Sequence, residues 1–314
     1  MRRSLFRRRW WRRAARLVPL DFPVFVVIAA ALVMLGLTFR FGLQGGTATA
    51  PPAEPPPTTL PPFAGSVGPG QLAVGPEEIE RTLRRLVRIG RPVRCGAGNQ
   101  PLVALTFDDG PGPRTADLLR ILAVNSAPAT FFFVGDRLGY PGAPTIAAMG
   151  PMHAIGNHTW SHASLRRLRP RDRRSEVLRA QRALERAAES PIHLFRPPYG
   201  HRDPALDRMV SRLGLVQVLW SSTSGDDRPV TARALMRKLR GELQPGSIVL
   251  MHEHEITVST LPRVLELLRD RGLRPVTVAE LLALDPPTRR QLKTGLCPRG
   301  TPDAISAEAG GGRP

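Results

Sequence analysis

The chain has 314 residues, 42% of them apolar and 23% charged, with two cysteines; this balance excludes a disordered polymer, a collagen-like repeat and a disulfide-dense miniprotein. A formal charge of +19 invites a nucleic-acid reading, but eight arginines before residue 17 supply much of it and leave +11 for the rest. Those remaining cations are spread along helix-like stretches such as 166–186, with no interleaved aromatic rings to stack on bases, which argues against nucleic-acid binding and for a basic surface facing an anionic envelope.

In chain order, the Arg-rich residues 1–21 read as a cytoplasmic tail. Residues 22–39 form an uncharged, almost wholly apolar run just long enough to cross a bilayer as a helix. The positive-inside rule then exports everything after residue 40. A cleaved signal peptide is the competing reading, since Ala48, Thr49 and Ala50 have the small-residue spacing of a cleavage site; Pro51 and Pro52 directly after it, and the length of the apolar run, favour an uncleaved anchor. Residues 40–75, rich in Gly, Pro, Thr and Ala, are expected to be an extracytoplasmic spacer, because such a composition buries too little apolar surface to fold. Pro76 to Ile89 opens on Pro and acids and continues with helical spacing, so a lead-in helix is expected within 76–97.

From Leu102 onward, strand-like runs at 102–106, 129–134, 153–157, 193–196, 215–220, 247–252 and 274–277 alternate with amphipathic helices at about 115–125, 172–189, 203–213, 231–243, 259–271 and 278–284. This alternation predicts an α/β fold with a parallel sheet wrapped by helices, open or closed into a barrel, whose chemistry collects at the carboxyl ends of the strands. The folded domain is expected over 98–284, followed by a tail at 285–314. Cys95 and Cys297 flank it, and in an exported domain whose ends lie close together they are expected to pair.

The polar motifs fall at those strand ends. Asp108 and Asp109 in Thr-Phe-Asp-Asp-Gly-Pro follow a buried strand, where two adjacent carboxylates repel each other and cost desolvation unless a metal ion and a proton-transfer role compensate; turn chemistry is the alternative. His158 and His162 stand four apart, which on a helical turn would place both imidazoles on one face; with one carboxylate they would make three protein ligands and leave positions open, the pattern of a catalytic zinc site. In Phe195 to Gly200 two prolines stiffen a turn and leave the Tyr199 amide free to face a ligand. A final strand ends at His252. The remaining histidines His153, His193, His201 and His254 have no evident partner and read as structural or surface residues.

Taken together and in order, Thr106 to Pro111, His158 to His162, Arg196 to Gly200, Trp220 to Asp226, and Leu250 with His252 resemble the five motifs of the NodB-type polysaccharide deacetylases of carbohydrate esterase family 4, over about residues 98–284. The resemblance implies a distorted barrel of seven or eight parallel strands. It implies a divalent metal, usually zinc and with cobalt or another ion as the alternative, held by Asp109, His158 and His162. It makes Asp108 the general base beside Arg196, and His252 the general acid oriented by Asp226. Tyr199 and Pro198 would serve the oxyanion and substrate, and Leu250 would line the pocket for the acetyl methyl. The chain departs from the family at Asp227, Arg228 and Pro229, where relatives usually carry a Trp directly after the motif Asp.

The expected activity is therefore that of a hydrolase of non-peptide carbon–nitrogen bonds, removing N-acetyl groups from a cell-envelope polysaccharide such as peptidoglycan, by an enzyme anchored through residues 22–39 with its domain outside. An O-acetyl esterase and a catalytically silent glycan-binding envelope protein are the alternatives.

Overall fold

The computed structural model describes residues 74–139 and 142–297. The expected tail, membrane segment 22–39 and spacer lie outside these residues, and no helix of the described residues is long and apolar enough to cross a membrane.

Eight strands form one parallel sheet: β1 (Leu102–Asp108), β2 (Thr130–Phe133), β3 (Ala154–Asn157), β4 (Leu194–Phe195), β5 (Val216–Gln217), β6 (Ser222–Thr223), β7 (Ile248–His252) and β8 (Arg274–Val276). Their order is β5-β4-β3-β2-β1-β7-β6, with β8 paired to the start of β1. The sheet is a half-barrel, its ladder open between β5 and β6. The longer helices are α1 (Pro76–Ile89), α2 (Thr115–Val124), α4 (Pro170–Ala188), α5 (Pro204–Arg212), α6 (Ala232–Glu242) and α7 (Glu255–Asp270); α3 (Gly142–Ala148), α8 (Val278–Leu284) and α9 (Arg289–Thr294) are short.

The Phe131-Phe132-Phe133 run shows how the two-residue period of a strand sorts its side chains. Phe131 and Phe133 pack with Leu118, Leu184 and Leu265 from the surrounding helices, whereas Phe132 joins Val218, Ile248 and Leu281 on the other face. Every residue of β1 and β2 is buried, as expected of a parallel strand covered on both sides. Helix ends follow local chemistry as well: α1 starts with Pro76, carries Glu77 and Glu78 in its first turn, and stops at Gly90 in the left-handed conformation (φ 64°).

Parallel register sets the position of the site. Asp108 lies opposite Phe132 on one side and His252 on the other, Phe133 opposite Asn157, and Asn157 opposite Phe195. Residues far apart in the chain, at 108, 158, 196 and 252, therefore emerge along one rim.

At the opposite margin, Cys95 and Cys297 form a disulfide across a separation of 202 residues. Polar contacts reinforce it: Gln291 Nε2 donates to the Gly96 carbonyl (3.0 Å), and Asp285 Oδ2 accepts from the Gly98 amide (2.6 Å).

Candidate active site

The carboxyl rim of the sheet opens into a cavity of about 940 Å³, at the large end for a ligand cleft. Asp108, Asp109, His158, His162, Tyr199 and His252 all line it.

On one side, three donors converge. Asp109 Oδ1 lies 3.4 Å from His158 Nε2 and 3.0 Å from His162 Nε2, and one ligand atom from each residue falls within 4.8 Å of the others. His158 Nδ1 is 2.7 Å from the Arg196 carbonyl oxygen. A carbonyl can only accept, so Nδ1 carries the proton and Nε2 turns a lone pair toward Asp109. Asp109 Oδ1 is buried and makes no hydrogen bond of acceptable geometry. A buried, unpaired carboxylate oxygen facing two imidazole nitrogens is a donor set that a divalent cation satisfies. Burial opposes ionisation of Asp109, but the two histidines outweigh it and hold the carboxyl well below the usual range.

The histidine spacing works differently from the helical turn expected of it. Residues 158–162 form an irregular loop in which Thr159 (φ 72°) and His162 (φ 58°) adopt the left-handed conformation. Buried Asn157 pins this loop: its amide donates to the Val177 carbonyl (3.0 Å) and Gln181 Oε1 (2.9 Å) of α4, and its oxygen accepts from the Thr159 amide (2.9 Å). Asp109 (φ 74°) and Tyr199 (φ 61°) are left-handed too, so among the described residues four of the six non-glycine residues with positive φ belong to this site. Such conformations each cost of order 1–3 kcal/mol and persist where surrounding structure enforces them.

Behind the donors, Arg196 is fully buried. Its Nη1 donates to Asp108 Oδ1 (2.6 Å) and Thr106 Oγ1 (2.7 Å), while Nε and Nη2 reach the carbonyls of Val218 and Leu219 (3.4 and 3.3 Å). The guanidinium also lies 4.0 Å over the Phe132 ring. Burial pulls its pKa down, and Asp108 opposes that pull. Asp108 is thus tied by one oxygen, while Oδ2 stands 3.7 Å from His158 Nε2 on the cavity side.

On the strand beside Asp108, His252 Nδ1 pairs with Asp226 Oδ1 at 2.8 Å, and Asp226 Oδ2 accepts from the His252 amide (2.8 Å) and Thr257 Oγ1 (2.5 Å). Burial alone would lower the imidazole pKa, but Asp226, with Asp108 and Asp109 nearby, raises it to about 9. Asp226 is itself held low: burial pushes it up, and the hydrogen bond to His252 more than compensates.

The other expected residues divide. Leu250 lines the cavity. The Tyr199 amide takes no part in its turn's hydrogen bonds, which run from Gly200 to Pro197 and from His201 to Pro198. Pro198, however, is buried in that turn, and it is Pro197 that faces the cavity.

His254, read from sequence as a structural or surface residue, belongs to the site. Its ring stacks on His252 (centroids 5.5 Å apart), and its Nδ1 is 2.8 Å from the Asp226 carbonyl oxygen. Its only sequence signal is its place two residues after His252. Glu253, next to it, packs against the Gly110 turn. Burial pushes its carboxyl up to about 7, against a hydrogen bond from Thr115. A Cβ at residue 110 would collide with that carboxyl and with the Phe133 ring, so the Gly after the paired aspartates is required by close packing.

The sequence profile of the polysaccharide deacetylase family matches residues 96–218. A peptidoglycan-N-acetylglucosamine deacetylase of Bacillus cereus is 31% identical over 191 residues, covering 59% of this chain and 89% of that protein. A peptidoglycan-N-acetylmuramic acid deacetylase of Bacillus subtilis is 29% identical over 58% of this chain, and the match spans only 39% of that longer protein. Among solved structures, a family 4 carbohydrate esterase from Streptomyces lividans in complex with acetate superposes with a TM-score of 0.53 at 31% identity, covering 55% of this chain and 91% of that one. The chain belongs to the polysaccharide deacetylase family, the NodB-type group of family 4 carbohydrate esterases.

Proposed function

We propose that this protein is a metal-dependent N-deacetylase of peptidoglycan glycan strands, anchored in the cell membrane through residues 22–39 with its domain outside. The observation that carries the reading is the placement of a free carboxylate oxygen of Asp108 and a proton-loaded His252 on the same cavity as the three converging donors. The names of the relatives support the substrate class. The Cys95–Cys297 disulfide supports an oxidising, extracytoplasmic location.

Asp109, His158 and His162 would hold a divalent cation, zinc in this reading, which when bound supplies Lewis acidity toward water and the acetamide carbonyl. Asp108, tied to Arg196 through Oδ1, takes the proton of the attacking water through Oδ2. The Tyr199 N–H donates to the carbonyl oxygen as it gains charge. His252 delivers its proton to the departing nitrogen, because an amine leaves only when protonated, while Asp226 holds the ring through Nδ1. Leu250 shapes the space for the methyl group. Acetate and a free amino sugar result.

The test is acetate release by the full-length chain in detergent from peptidoglycan fragments and N-acetylglucosamine oligomers. Chelation should abolish release and zinc should restore it. Release that survives both chelation and Asp109→Ala would overturn the reading.

A further inference from the structure

Where the family resemblance implies a Trp after Asp226, this chain carries Asp227 and Arg228, and the structure shows what that charge faces. Asp227, Arg228 and Pro229 line the same cavity as the converging donors, and α6 contributes Ala234, Arg237 and Lys238. Positions 234, 237 and 238 are three and four apart, so they share one helix face. The stem of Lys238 lies against Gly225, where a Cβ would sit 3.3 Å from Lys238 Cδ. The cationic wall therefore abuts the loop that carries Asp226.

These cations are unequally committed. Lys238 Nζ is held by Glu242 Oε1 at 2.7 Å. Arg228 meets Asp227 only at 3.5 Å, with both side chains at least half exposed, a pairing worth little in water. The Arg237 side chain makes no hydrogen bond or ion pair among the described residues. Glu266 and Asp270 border the neighbouring hollow with it, yet neither reaches ion-pair distance. Two guanidinium groups thus line a groove in which Asp108 is committed to Arg196 and Asp109 to the histidines, while Asp227 meets Arg228 only in the loose, exposed pair.

We propose that Arg228 and Arg237 form a carboxylate-recognition wall, selecting acidic glycan strands over neutral N-acetylglucosamine polymers. This rests on the N-deacetylase reading and adds to it which strand is preferred. A planar guanidinium binds carboxylate through two parallel hydrogen bonds, and a groove with low-dielectric walls concentrates its field on an anionic polymer. A hydrophobic ring on this wall would instead favour stacking of any sugar, acidic or neutral. Peptidoglycan offers carboxylates from two sources, the lactyl ether on the sugar and the peptide stem, and the wall's chemistry suits either.

The experiment uses the full-length chain in detergent and three substrates of matched length: strands stripped of peptide, strands with peptide stems, and chitin oligomers. The wild type should prefer acidic strands in kcat/KM, with a preference that shrinks as salt rises. Arg228→Gln/Arg237→Gln should cut the acidic-to-neutral ratio roughly tenfold, and Arg228→Lys/Arg237→Lys should retain part of it. Preference for stripped strands assigns the contact to the lactyl carboxylate; preference seen only with stems assigns it to the peptide. A wild type that favours neutral oligomers, or a ratio unchanged in the Gln variant, overturns the proposal. Calorimetric binding of the same three glycans separates the two readings: selective binding without acetate release keeps the wall and removes the deacetylase.

Discussion

Two buried aspartates serve neighbouring strand ends of the site, Asp108 on β1 and Asp226 behind His252 on β7, and their partners give them opposite uses. Asp108 is 3% exposed and bonded to the fully buried Arg196; Asp226 is 2% exposed and bonded to His252. A guanidinium keeps its proton, so it binds one oxygen of the carboxylate beside it without giving that carboxylate a proton, and the other oxygen can receive one from elsewhere. An imidazole can give its proton away, so the carboxylate beside it raises the affinity for that proton and fixes which nitrogen holds it. Similar burial and similar hydrogen-bond distances therefore produce an acceptor on one side and a donor on the other. The contrast lies in the partner's chemistry.

The strongest way to break the contrast is Arg196→Met, which leaves Asp108 buried without its cation. The folded state should lose about 3–5 kcal/mol, read as a lower denaturant midpoint, and activity should vanish with it. Next is Asp108→Asn, which keeps the shape and removes proton acceptance; acetate release should fall roughly 10²–10⁴-fold while the three-donor site still takes up zinc in a metal analysis.

The other side is sharpened by pH. His252 titrates at about 9 against an ordinary 6.5, so its proton stabilises the fold fully below the ordinary value, and that contribution is lost as pH rises through 9. Activity should fall over the same alkaline range. In Asp226→Asn the alkaline limb should move toward the ordinary imidazole value, and the loss of stability with rising pH should flatten. An unmoved limb would separate His252 from the limb altogether. The smallest effect is expected of Thr257→Val, which removes one hydrogen bond to Asp226. It should cost about 1 kcal/mol and shift the limb slightly in the same direction.

What could be read from the chain alone followed periodicity. Helix α1 lies at 76–89 as its opening Pro and acids indicate, and the alternation of runs matched a parallel α/β sheet. β6 went unseen because Ser222 and Thr223 carry no apolar run; they are a strand only through pairing with Val249 and Leu250. The run at 215–220 shortened to Val216–Gln217 because the carbonyls of Val218 and Leu219 turn to Arg196 instead of a neighbouring strand. Spacing pointed to His158 and His162 as a pair, and the structure brings their rings within 5.0 Å, but not on the helical backbone expected, since the left-handed turns at Thr159 and His162 depend on Asn157 being held by α4. His254 was invisible for a related reason: its place in the site comes from its contact with the Asp226 carbonyl, 28 residues earlier in the chain, and no local pattern marks it.

The clasp between residues 95 and 297 also sets an order of events during synthesis. All the residues assigned to chemistry have been made once the ribosome passes His254, while β8, which supports the base of β1, and the second cysteine emerge only later. A nascent chain thus holds its complete chemical inventory before the latch that secures it exists. The latch can close only in a chain translated through residue 297.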